Sequence, residues 1–110
     1  MRRINEVLRE VVGAAISGDL SDPRIGFVTV TSVETSPDLR AAKVFLSVLG
    51  SEEEREATFV GLHSSRGLIQ AKIARETRMK RTPTLTFHYD KTVEQGVRIS
   101  RLLEEESEES

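Results

Sequence analysis

The sequence has no cysteine and no tryptophan, and only two histidines, three prolines and one tyrosine in 110 residues. Without cysteine there is no disulfide, no thiolate metal site and no cysteine nucleophile. His63 and His88 have no neighbouring acid or second histidine at a ligand spacing, so no metal is expected. No run of about 18 apolar residues exists, which excludes a membrane-spanning helix by length. The basic start, Met1-Arg2-Arg3-Ile4-Asn5-Glu6, has no unbroken apolar stretch behind it and does not read as a secretory leader. A cytoplasmic location is the default expectation. Neither G-x-x-x-x-G-K nor G-x-G-x-x-G occurs, so no phosphate loop is expected. Asp19, Asp22, Asp38 and Asp90 all sit in turn-like stretches, where aspartate is favoured for local hydrogen bonds. They cannot be paired as acid and base. No enzymatic activity and no cofactor are expected.

What is present is 37% apolar and 31% charged residues, the balance of one globular domain with a polar surface. Residues 2–17 repeat Ile4, Val7, Leu8, Val11, Val12 and Ala15 at spacings of three and four, which predicts an amphipathic helix ending at Gly18. Phe27–Glu34 and Ala42–Leu49 read as two strands joined by the turn Ser36-Pro37-Asp38, hence antiparallel. Ser51 with Glu54 has the spacing of a capping box, and a helix follows. A straight helix from Glu52 to about Met79 would bury Arg66 in the stripe Phe59, Leu62, Ile69, Ile73. Burying an unpaired guanidinium is costly. Gly67 further weakens a continuous helix there. A break at Ser65-Arg66-Gly67 is therefore expected, with Arg66 turned to solvent. Leu85, Phe87 and Tyr89 alternate with polar residues in a third strand. Thr92 with Gln95 suits the cap of a short terminal helix reaching Leu103. The four phenylalanines are assigned to the core. Residues 1–103 are expected to form the domain, and 104–110 an acidic, disordered tail. The order describes an α+β fold of two layers.

The net charge of −2 hides an uneven distribution. Two acidic runs, Glu52–Glu56 and Glu104–Glu109, hold nine of the 18 acids and one of the 16 basic residues. The remainder has nine acids against 15 bases, +6 net. From His63 to Arg81, six basic residues face Glu76 alone, a net +5. Arg66, Lys72, Arg75, Arg78, Lys80 and Arg81 are thus candidate contacts for nucleic-acid phosphates, which give sequence-independent, salt-sensitive affinity. Arg2, Arg3 and Arg9 extend the patch in one reading and form an ordinary solvated helix face in the other. Stacking aromatics are few, so charge and backbone shape would dominate RNA binding.

The blocks Asp22-Pro23-Arg24-Ile25-Gly26-Phe27-Val28-Thr29-Val30-Thr31, Ser36-Pro37-Asp38-Leu39-Arg40, Ala42–Gly50 and Arg78–Phe87, with Asp90, Gly96, Arg98 and Ile99, closely resemble ribosome-binding factor A. The resemblance implies a type II KH-like domain with a mixed three-stranded sheet. KH domains grip nucleic acid with a G-x-x-G loop, which is absent here. The family carries an Ala-x-Gly kink instead, and Ser65-Arg66-Gly67 stands at that point with Ser for Ala. The resemblance further implies a non-catalytic factor that binds the free small (30S) ribosomal subunit and its 16S rRNA. It implies support of late rRNA maturation, importance in the cold, and release aided by a ribosome-associated GTPase in some bacteria. A monomer is the expectation. The competing reading is a protein-interaction module that associates with ribosomal proteins, its basic face incidental.

Overall fold

In a computed structural model, which describes residues 2–18 and 20–92, the amphipathic N-terminal stretch forms helix α1 (Arg2–Gly18). It buries Leu8, Val11, Val12, Ala15 and Ile16. Strands β1 (Val28–Thr35) and β2 (Ala41–Val48) follow as an antiparallel pair. Their turn is tied by backbone bonds from Ser36 N–H to the Ala41 carbonyl (2.8 Å) and from Leu39 N–H to the Ser36 carbonyl (2.9 Å). Leu39 takes a left-handed backbone with φ 59. Asp38 holds the turn by accepting from the Ser36 hydroxyl and the Arg40 N–H.

The β1–β2 register slips between Val30 and Ser32, so Thr31 sits in a bulge. This explains why Val30 and Val33, three apart, are both buried in β1. The Thr31 hydroxyl donates to Asp90 Oδ2 at 2.6 Å and so ties the bulge to the end of the third strand. Along β2, Ala42, Val44, Leu46 and Val48 face the core, as the alternation requires.

Helix α2 (Glu52–Ser64) starts from Ser51 with both capping-box bonds in place. It stops at Ser65, and α3 (Arg66–Glu76) begins at once. The break lies where the conflict between Arg66 and the apolar stripe put it. Leu62, Ile69 and Ile73 are fully buried on either side of it. Each such side chain contributes about 1.5–3 kcal/mol of burial. Gly67 has open space where a Cβ would stand, so packing does not demand glycine there. Gly61 is different: a Cβ would lie 2.8 Å from Ile25 Cγ1, because the 20–27 loop crosses α2 at this point. Thr58 anchors the same crossing. Its hydroxyl accepts from Gly26 N–H (3.2 Å) and donates to the Glu54 carbonyl (2.8 Å).

Strand β3 (Thr84–Tyr89) returns parallel to β2, giving the order β1-β2-β3 and a mixed sheet. A parallel return needs a crossover, and the α2–α3 pair supplies it. The helices cover one face of the sheet, with α1 on β1 and α3, and α2 and α3 on β3. The Arg55 guanidinium of α2 lies over the Tyr89 ring at 4.5 Å. The other face stays polar, apart from Phe45 against His88 with ring centroids 5.5 Å apart.

Two expectations need correction. Neither Phe27 nor Phe45 is a core residue: Phe27 is 81% exposed, because the chain enters β1 only at Val28, and Phe45 lies on the sheet face away from the core, against His88. Thr92 N–H donates to Asp90 Oδ1 at 2.9 Å, and the expected cap of Thr92 with Gln95 lies outside the described residues. The expected terminal helix from Val93 to Leu103 and the tail 104–110 lie outside the described residues.

Candidate nucleic-acid interface

The basic residues separate into groups once the chain is folded. The register that sets Ala41 beside Thr84 brings the β1–β2 turn next to the 77–83 loop, and Thr84 N–H donates to the Arg40 carbonyl at 2.9 Å. The first two turns of α1 close the third side. These three segments enclose an open groove of about 840 Å³. Its rim carries Arg3, Arg40, Arg78, Lys80 and Arg81. Its floor is aliphatic, with Ile4, Val7, Leu39 and Met79.

The two acids of the lining are already engaged. Asp38 lies 3.9 Å from the Arg40 guanidinium, and Glu76 lies 3.7 Å from Lys72 Nζ. The Ser36 hydroxyl and the Arg40 N–H hold the Asp38 carboxyl below the usual carboxylate range, with Arg81 adding to the effect. Among the described residues, Arg3, Arg78 and Lys80 have no ion-pair partner. The groove therefore presents excess positive charge in a wide, water-facing opening.

Of the residues named from sequence, the fold brings Arg78, Lys80, Arg81 and Arg3 together here. Arg75, exposed in the last turn of α3, leads toward them. Arg66 does not join: it opens α3, about 15 Å from the groove end at 1.5 Å per residue. It is also half-buried rather than turned fully to solvent. The break removes Arg66 from the apolar stripe, yet it still starts a helix packed against its neighbours. Lys72 has only 15% of its side chain exposed and pairs with Glu76 one turn on. Arg9 is held by Glu6 at 2.9 Å, which raises its pKa through that hydrogen bond and the Glu6 charge. Arg2 and Arg9 lie seven residues apart on a helical face away from Arg3. The three arginines of α1 are therefore not equivalent. Arg3 shares a stripe with Val7, four residues on, and Val7 is in the floor.

Sequence reasoning missed Arg40 and the floor. Val7 and Ile4 look like core residues by spacing, yet Val7 is 42% exposed. The available signal was the hairpin itself, since a tight turn after Ser36 has to place Arg40 near the residues that precede β3.

The acidic run takes the opposite end. Glu52, Glu53 and Glu54 fill the first turn of α2, which starts just beyond the end of β2, while the groove adjoins the start of β2. Along an eight-residue strand these ends are about 23 Å apart. Carboxylates in that turn face the positive end of the helix dipole. Among the described residues, no three His, Asp or Glu side chains group to hold a metal.

A sequence model of ribosome-binding factor A matches residues 1–103. The chain belongs to the ribosome-binding factor A family. Its fold is similar to the crystal structure of the Thermus thermophilus family member, at 27% identity and a TM-score of 0.72, over 80% of this chain and 92% of that one. It is also similar to the solution structure of a putative ribosome-binding factor A from Thermotoga maritima. There the identity is 31% and the TM-score 0.71, over 79% of this chain and 83% of that one. A Thermus thermophilus homology model, fitted into a cryo-electron-microscopy map of a 30S complex of that factor, matches at 28% identity and a TM-score of 0.66, over 79% and 91%. Family membership agrees with the KH-like order of elements and the mixed three-stranded sheet. No described helix is long and apolar enough to cross a membrane.

Proposed function

We propose that this family member binds the free small ribosomal subunit through its basic end and supports late maturation of 16S rRNA without catalysing a step. The observation that carries this reading is the convergence of Arg3, Arg78, Lys80 and Arg81 from separate segments onto one groove, continued by Arg75. Such an arrangement grips phosphates by charge, and it needs neither metal nor nucleophile. The Thermus family member in the 30S complex supports the choice of subunit. The family resemblance supports the maturation role, the importance in the cold and GTPase-aided release. Residues 1–103 are the RNA-binding domain in this reading, and the chain acts as a monomer in the cytoplasm.

The test changes Arg75, Arg78 and Arg81 together to Glu and measures co-sedimentation with purified small subunits. The folded variant should lose binding, and wild-type binding should weaken steeply with salt. Unchanged affinity would overturn the reading. One observation favours a second reading, that of a protein contact. Phe27 and Leu49 are both highly exposed and adjacent, with Leu49 N–H donating to the Phe27 carbonyl. Co-sedimentation that survives RNase digestion of the particles would favour that reading.

A further inference from the structure

The groove has a floor that phosphate contacts alone do not require. Ile4, Val7, Leu39 and Met79 present an aliphatic surface between cationic walls. This floor is shallow, with Val7 42% exposed and the other three half-buried. An aliphatic side chain of a partner protein would gain little there, because no deep hole receives it. A flat, rigid nucleobase face covers such a surface well. In a duplex the base faces are stacked on one another and out of reach, so only a single strand can offer one.

We infer that the groove is a binding site for single-stranded RNA, in which the backbone follows the cationic rim and a base lies face-down on the floor of Ile4, Val7, Leu39 and Met79. This rests on the RNA-binding reading above and names the form of RNA that the site accepts. The neutral and acidic side chains of the lining are occupied: Thr77 donates to the Ile73 carbonyl, Asp38 holds the β1–β2 turn, and Glu76 pairs with Lys72. The polar side chains that remain are the cations of the rim, which the phosphates take up in this arrangement. The site therefore tolerates any base while requiring that one be present.

The experiment uses the full chain and fluorescein-labelled RNAs, with anisotropy as the readout. One probe is a five-nucleotide single strand with bases, one has the same number of phosphates but no bases, and a third, longer RNA places the same five nucleotides in the stem of a hairpin. The base-bearing strand should bind about tenfold more tightly than the abasic chain, the scale of covering an apolar floor with one base face. It should also outbind the stem. Uridine and adenosine strands should agree within about threefold, because no edge is read. Val7→Gln, a change on a half-exposed helix surface, should bring the base-bearing strand down to the abasic affinity and leave the salt dependence alone. Equal binding of the base-bearing and abasic chains, or of strand and stem, would overturn the inference while leaving the cationic interface standing. Failure of every RNA probe together with loss of subunit binding would defeat both. Displacement of the RNA by an acidic, leucine-bearing peptide that binds more tightly would overturn the inference and reassign the groove to a protein segment.

Discussion

Arg2, Arg3 and Arg9 look alike in the sequence, and the fold gives them different work. The perturbation is replacement of each by alanine in turn. Arg3 is on the groove rim with Arg78, Lys80 and Arg81, whereas Arg9 is committed to Glu6 and neither Arg9 nor Arg2 lines the groove. Arg40 is discounted because Asp38 is its neighbour at 3.9 Å. If those four rim cations each neutralise one phosphate of a single strand, the slope of log affinity against log salt is about −3, at about −0.7 per phosphate. Between 50 and 200 mM salt the affinity should then fall about 50-fold. Arg3→Ala should make the slope shallower by about 0.7, while Arg2→Ala and Arg9→Ala should leave it unchanged. The assay is anisotropy with single-stranded RNA over a salt series. Equal changes for all three variants would show that net charge, rather than the groove, sets the binding and would refute the geometric argument.

Other predictions concern stability. Gly61→Ala drives a Cβ to 2.8 Å from Ile25 Cγ1. Overpacking of about 1–3 kcal/mol should exceed a helix-propensity gain of about 1 kcal/mol, so the melting temperature should fall. Gly67→Ala meets open space and should raise stability by about 0.5–1 kcal/mol in the same melting experiment. Thr58→Val keeps the shape but leaves the Gly26 N–H without its acceptor, and chemical denaturation should show a loss of about 1–3 kcal/mol that Thr58→Ser largely restores. Asp22, held by Arg24, is lowered to about 2, and Asp90 is lowered by the hydroxyl of Thr31 and by Thr92. Both carboxylates favour the folded chain above the ordinary value near 4, and that contribution is lost as pH falls through their lowered values, about 2 for Asp22. Melting curves across this window should decline, and Asp22→Asn with Asp90→Asn should flatten the decline.

Local signals carried most of the fold. The α1 stripe, the β2 alternation and the Ser51–Glu54 capping box are each decided by neighbours within one or two turns, and each stands where the sequence places it. The helix break was legible for a stronger reason, since burying Arg66 costs more than interrupting a helix. Phe27 misled because hydrophobicity says what a residue favours, while the start of β1 decides what surrounds it. The Thr31 bulge was invisible, since it depends on how β1 registers against β2 and on Asp90, 59 residues away. The groove was half legible. The run of charge from Arg75 to Arg81 is a sequence feature. Its junction with Arg3 and Arg40 is a product of parallel β2–β3 pairing, which no local pattern encodes.

The same topology explains why a net charge of −2 is compatible with RNA. The antiparallel turn and the loop into β3 meet at the start of β2, and the α2 N-terminus stands beyond its end. Glu52–Glu54 are stabilised by the helix dipole at one end of the sheet, and the cationic rim gathers at the other. With a Debye length of about 8 Å at physiological salt and about 23 Å between the two ends, the acids barely weaken the field at the groove. They do repel phosphates that approach the wrong end. On the proposed RNA-binding reading, this separation of charge would turn the molecule groove first toward RNA, and Glu52–Glu54 would sharpen the encounter although they lower the net charge.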